Sequence, residues 1–171
     1  MYIIKMKINT MLNYKNEIIE FIWCPWCAYA KHEFSLPCGL IYENDNFTVS
    51  QDRELPIIGF FVISPKKHIE KLNELSEVER NEMFSIINTV IKIEKENNIC
   101  KDFNVIFEEK DKRHFHVWIM PRHERMAKIC NNITQNIGLI FDYAKINFRT
   151  ENIYNKINEA VKITKEQFRI D

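Results

Sequence analysis

Apolar and polar positions divide this chain into short extended runs, one long helix and a helical C-terminal stretch. Residues 17–22 (EIIEFI) read as a strand leading into the turn Cys24-Pro25-Trp26-Cys27. Residues 40–43 (LIYE) and 46–51 (NFTVSQ) read as two more strands around the turn-forming Asn44-Asp45. Residues 57–63 (IIGFFVI) are an apolar run of strand length, closed by Pro65. Ser76 opens the clearest helix, because Glu79 three residues on completes a capping box. Met83, Phe84, Ile87, Val90 and Ile91 then recur at helical spacing, which predicts one apolar stripe on the core and a helix end near Asn97 or Asn98. Residues 102–108 and 114–120 are again strands, separated by the charged turn 109–113 (EKDKR). Residues 133–147 and 151–168 read as two weakly amphipathic helices that either pack on the main domain or mediate dimerisation. Strands, a helix, strands and then helices imply an α+β fold with a largely antiparallel sheet.

Composition narrows the classes. The chain has 171 residues, 46% apolar and 28% charged, which suits one soluble globular domain with a small appendage. Lys plus Arg and Asp plus Glu both number 24, so no global field attracts nucleic acid or membrane. Any anionic ligand has to be caught by a local cluster of donors. No apolar run approaches the roughly 20 residues of a membrane helix, and the N-terminal stretch MYIIKMKINTMLNY lacks the pattern of a secretory signal. With five cysteines and no such signal, reduced thiols in the cytoplasm are the expectation.

The chemistry concentrates in His114-Phe115-His116-Val117-Trp118-Ile119-Met120-Pro121-Arg122. Alternation along a strand sends Phe115, Val117 and Ile119 to one face and His114, His116, Trp118 and Met120 to the other. The two imidazoles then lie about 7 Å apart, close enough for one site and too far to bond directly. Near neutral pH an imidazole serves as nucleophile, base or metal ligand; a half-exposed strand holding two idle histidines is the bland alternative. Cys24-Pro25-Trp26-Cys27 is ambiguous by itself. Two thiolates at this spacing can share a zinc, or act as the redox pair of a glutaredoxin-like turn. A zinc site needs two further ligands, for which His68 and His114 are the candidates.

From about Cys24 to Arg122 the chain resembles the histidine-triad (HIT) family. The resemblance is carried by the Cys-x-x-Cys pair, the hairpin Tyr42-Glu43-Asn44-Asp45, Asp52, the stretch from Gly59 to Pro65-Lys66-Lys67-His68, and the His114–Arg122 signature. It implies a HIT-like antiparallel sheet with one long helix, spanning 24–126 between an N-terminal segment (1–23) and a C-terminal helical extension (127–171). It also implies a structural zinc on Cys24, Cys27, His68 and His114, leaving His116 as the nucleophile that attacks a nucleotide α-phosphate and forms a covalent nucleotidyl-histidine. The implied substrate is a dinucleoside polyphosphate or a nucleoside phosphoramidate. Asp52 would accept from the ribose hydroxyls, Ile41, Phe47 or Val49 would hold the base, and Trp118 and Arg122 would complete the nucleotide site. A nucleotide and a second copy of the chain are the expected partners.

Two departures stand out. Trp118 occupies the third triad position, and an indole has one N–H donor and no acceptor, so it cannot shuttle a proton; this puts the leaving-group step in question. The loop before the triad is short and lacks glycine, so Lys112, Arg113 or Arg122 would have to supply phosphate donors. Lys110 and Lys112 read more simply as solvated charges, and alternation turns Arg113 away from the site. His32 and His123 match no motif position and read as surface residues. Two alternatives stay open: a HIT-fold nucleotide binder with little turnover, and a glutaredoxin-like thiol oxidoreductase using Cys24.

Overall fold

The structure, a computed structural model, describes residues 8–130, 132 and 135–168. Residues 1–7, 133 and 134, which belong to the N-terminal segment and the start of the first C-terminal helix read above, lie outside the described residues. An N-terminal hairpin pairs β1 (Ile8–Leu12) with β2 (Ile18–Ile22), and the six-residue α1 (Pro25–Ala30) follows. The main sheet is built from β3 (Leu40–Glu43), β4 (Phe47–Gln51), β5 (Phe61–Pro65), β6 (Phe103–Glu108) and β7 (His116–Pro121). Its order is β3-β4-β5-β7-β6, with every neighbouring pair antiparallel. The helices are α2 (Glu77–Glu96), α3 (Glu124–Ala127), α4 (Ile137–Asn147) and α5 (Glu151–Gln167). No helix among the described residues is long and apolar enough to cross a membrane.

Local chemistry sets the elements. The Ser76 hydroxyl accepts from the Glu79 amide at 3.2 Å, and the Glu79 carboxylate accepts from the Ser76 amide at 2.7 Å, so the capping box forms as the spacing predicts. Asn44 shapes the β3–β4 hairpin by accepting from the amides of Asn46 and Phe47. The apolar run at 57–63 does not become one strand. Gly59 adopts φ +71°, turning residues 57–60, and β5 instead runs from Phe61 through Pro65. A Cβ at Gly59 would meet the Glu94 carboxylate at 2.5 Å and Ile99 at 2.9 Å. Gly59→Ala is therefore expected to destabilise the fold by about 1–3 kcal/mol, readable as a lower urea midpoint with an unchanged slope.

Strand alternation divides the core. Phe61 and Ile63 of β5 pair with Ile119 and Val117 of β7, all within the main core that also contains Met83, Ile87 and Val90 of α2. Val62 pairs with Trp118 on the opposite face, against Ile19, Trp26 and Leu36. Phe84 departs from the expected stripe: it is 46% exposed and rests on Phe107 of β6, while Ile86 and Ile93 take up core positions. Ile140, Ala144, Ile157 and Val161 share the main core with the sheet, so the C-terminal helices complete the domain's interior.

Candidate functional site

A cleft of about 720 Å³ opens on the face of the sheet that carries Trp118, a size suited to a small organic ligand. His114 and His116 both line it, as the alternation predicts. Met120 does not follow them: it is fully buried in the main core, where Met126, Ile140 and Phe148 of the C-terminal segment also lie. Phe141 of α4 bounds the cleft and packs edge-on against Trp118, with ring centroids 5.5 Å apart. All three tryptophans of the chain, Trp23, Trp26 and Trp118, line this one cavity.

Four side chains converge beneath the cleft. Cys24 caps α1 with Pro25 at its first position, and one helical turn carries Cys27 onto the same side. The Phe115 amide donates to the Ile69 carbonyl at 2.7 Å, tying the His68 segment to the entry of β7. The outcome is a Cys24–Cys27–His68–His114 cluster whose ligand atoms all lie within 4.8 Å of one another. His114 Nδ1 is 3.5 Å from Cys24 Sγ and 3.4 Å from Cys27 Sγ, and His68 Nδ1 is 3.4 Å from Cys27 Sγ. Tetrahedral zinc, with Zn–S about 2.3 Å and Zn–N about 2.05 Å, would place sulfur and nitrogen about 3.6 Å apart. His114 Nε2–H donates to the Pro65 carbonyl at 2.8 Å, which leaves the Nδ1 lone pair toward the sulfurs. Burial holds the His114 imidazole down at about 4, so it is neutral in the physiological range. The donor set and spacing suit a metal ion.

His116 sits above this cluster between two indoles, 5.3 Å from the Trp26 ring and 5.5 Å from the Trp118 ring. Its Nδ1–H donates to the His114 carbonyl at 3.0 Å. Its Nε2 meets the Glu108 carboxylate at 2.9 Å. Burial pushes the Glu108 carboxyl up, but its bonds to His116 and Lys110 outweigh that and bring it down to about 2.

Asp52 lines the cleft, with its Oδ1 accepting from the amides of Glu54 and Leu55 at 2.9 Å each. Burial pushes its carboxyl up to about 6, against those two donors and the charge of Arg53. A carboxyl raised in the folded state contributes stability below its unfolded value that is lost as pH rises toward 6. Above pH 6 the folded protein therefore carries a penalty of about 3 kcal/mol. Asp52→Asn keeps the turn's acceptor and removes that penalty. It should raise stability at pH 7 by up to about 3 kcal/mol and leave it unchanged below about pH 4, as urea unfolding at the two pH values would show.

Four residues expected in the site lie elsewhere. Ile41, Phe47 and Val49 are buried in the main core, 4%, 0% and 0% exposed, because α5 packs over β3 and β4. Arg122 is exposed, and its amide donates to Asp102 on the far side of β7; it does not reach the cleft. The loop 109–113 does reach it: Lys110 and Lys112 line the cleft as solvent-exposed charges, and Arg113, expected to turn away, lines it too. Lys112 takes φ +59°, which reverses the loop and breaks the simple alternation. His123 is also no free surface residue, since its Nε2–H donates to the Ile58 carbonyl at 2.8 Å. Arg53 and Glu108 carried no motif signal. Arg53 lies over the Trp26 ring at 4.7 Å, with Nη1 buried and unpartnered among the described residues. Five cationic side chains line the cleft against three acidic ones, a local positive field in a chain of zero net charge.

A family model described as HIT domain matches residues 33–125. The chain is a HIT-domain protein. As a family, HIT proteins are nucleotide hydrolases, nucleotidyl transferases or nucleotide binders. Among solved structures, this HIT protein is similar to a zinc-bound histidine triad family protein from Mycobacterium smegmatis, at 16% identity over 85% of this chain and 95% of that one, with a TM-score of 0.60. It is also similar to a hypothetical histidine triad nucleotide-binding protein from Sulfolobus tokodaii, at 18% identity over 85% and 94% of the two chains, TM-score 0.59. A Hit-like protein from Bartonella henselae involved in cell-cycle regulation gives 18% identity over 81% and 92%, TM-score 0.55. At these identities the likeness is one of fold. No curated protein matches the sequence.

Proposed function

We propose that this HIT protein transfers or hydrolyses a nucleotide phosphate through a covalent nucleotidyl-histidine on His116. The observation that carries the reading is the His116 ring itself. Its Nδ1 is fixed on a backbone carbonyl at 3.0 Å, and the ring lines a cationic, tryptophan-lined cleft with its Nε2 on the Glu108 carboxylate at 2.9 Å. Once Nε2 is freed from that contact, an imidazole held in this way offers one nitrogen, in one orientation, to phosphorus. Arg53, held over Trp26, with Lys110, Lys112 and Arg113, supplies donors for the charge that gathers on the phosphate oxygens. The trp-lined walls offer stacking surface for a base in place of the buried Ile41 and Phe47, and Asp52 accepts from the ribose. The substrate is a dinucleoside polyphosphate or a nucleoside phosphoramidate.

Cys24, Cys27, His68 and His114 hold a structural zinc, which on binding fixes the start of α1 to the segments carrying His68 and His114 and takes no part in the reaction. Two sulfurs and two imidazole nitrogens converging at 3.4–3.5 Å are the donor set of a tetrahedral zinc site, which supports this reading over a free redox pair. Zinc thiolates and three further free cysteines suit a reducing, cytoplasmic setting.

Trapping tests the reading. The protein is mixed with a nucleotide substrate labelled at the α-phosphate, quenched at alkaline pH and mapped by peptide. Label on the peptide containing His116 supports the covalent scheme. Turnover without any adduct would leave a different mechanism. A binder with little turnover is favoured by one observation, the Glu108 carboxylate seated on Nε2, and would show neither label nor product.

A further inference from the structure

Glu108 ends β6 directly opposite His116 in the antiparallel register. Its Oε2 lies 2.9 Å from the nitrogen that would attack phosphorus, and its Oε1 pairs with Lys110. The contact is sheltered: the side chains are 16% and 9% exposed. It is therefore not the kind of surface ion pair that contributes little. Both ring nitrogens of His116 face acceptors, the His114 carbonyl and the Glu108 carboxylate. A nitrogen lone pair and a carboxylate oxygen do not meet at 2.9 Å without a proton between them, so Nε2 is free to attack only once the carboxylate holds that proton. Trp118, in the same cleft, has no acceptor with which to take it.

We propose that Glu108 is the proton carrier of the transfer, a catalytic residue doing the work that Trp118 cannot. The role rests on the nucleotidyl-transfer reading given above. In the first step Glu108 takes the proton from Nε2, and the freed lone pair forms the N–P bond. As the P–O or P–N bond to the leaving group breaks, its electron pair stays with the leaving atom, which receives the proton from Glu108. In the second step the Glu108 carboxylate takes a proton from water as the water oxygen bonds to phosphorus. The N–P electron pair returns to Nε2, and Glu108 hands the proton back. Every proton is accounted for, and the pair has the same total charge before and after each internal transfer. Once Glu108 is neutral, Lys110 is released toward the phosphate.

Leaving-group dependence tests the role. Purified full-length protein and Glu108→Gln are compared on two AMP derivatives: the p-nitrophenyl ester, whose nitrophenolate leaves without a proton, and an alkylphosphoramidate, whose amine leaves only when protonated. Glu108→Gln should lose about 100-fold or more on the phosphoramidate. On the nitrophenyl ester it should keep its first turnover, seen as a burst of about one nitrophenolate per chain followed by slow hydrolysis, because the second step has lost its base. Added formate should restore phosphoramidate turnover to Glu108→Ala. Equal losses on both substrates would overturn the role and leave Glu108 a structural contact. Faster turnover on both would overturn it too, making Glu108 a block on Nε2. Release from neither substrate by the unaltered protein would overturn the nucleotidyl-transfer reading and this role with it.

Discussion

His116→Asn is expected to cut turnover by roughly 10⁴-fold or more while leaving the fold and the metal content as they were. Loss of a nucleophile is among the most costly single changes an enzyme can suffer, because no other group at the site can form the covalent intermediate. The fold should tolerate it for reasons visible around the residue. An asparagine amide can still donate to the His114 carbonyl, which lies 3.0 Å from Nδ1. The metal cluster uses the side chain of His114, and the bond to His116 uses only its backbone oxygen. Affinity for AMP can be read separately, since all three tryptophans line the cleft and their fluorescence reports occupancy. The expected result is near-normal AMP binding, unchanged zinc by elemental analysis, an unchanged far-UV spectrum, and kcat/KM on the nitrophenyl ester near background. A variant retaining a tenth of the original rate would remove His116 from the chemistry.

How much of this site can be read from sequence depends on whether a residue's neighbours are set locally. Alternation along 114–120 brings His114, His116 and Trp118 to one face, because strand geometry needs only the residues themselves. The capping box at Ser76 and Glu79 is equally local. The same alternation fails for Met120, since which stretch of a face stays open depends on a segment more than ten residues later. Ile41 and Phe47 are apolar residues on strands beside the site, and their periodicity cannot distinguish a ligand-facing position from a core one. Glu108 and Arg53 are the instructive omissions. Each is an ordinary charge at the end of a strand or in a turn. Each gains its meaning from a pairing register, Glu108 opposite His116, or a ring contact, Arg53 over Trp26, that only the assembled sheet provides. Phe84 illustrates the reverse error, an apolar residue at helical spacing that stays exposed because it covers Phe107 on an edge strand.

Removing the metal, or its ligand His114, should damage the protein in the opposite way to His116→Asn. The four ligands come from three stretches of chain: the start of α1, the loop after β5 and the entry to β7. A zinc ion on them would close long loops and bind the folded chain far better than the unfolded one, so its binding energy is folding energy. Without metal, the Cys27 thiol is pushed up to about 12 by burial and then by the neighbouring Cys24. Cys27 therefore keeps its proton in the empty cluster, and zinc has to expel it to bind; its affinity should fall as pH falls. His114→Ala deletes one ligand and also the donor to the Pro65 carbonyl. A loss of about 4 kcal/mol or more is the expected scale, equivalent to a fall in Tm of about 8–16 °C for a domain of this size. Stripping the unaltered protein with a strong chelator should produce a similar fall, reversed by adding back zinc. Scanning calorimetry with elemental analysis on the same samples decides the matter. If the protein purified without chelator contains no zinc, or if removing the zinc leaves Tm where it was, the cluster is not a structural zinc site. In that event the Cys24–Cys27 pair would have to be examined as a thiol redox centre.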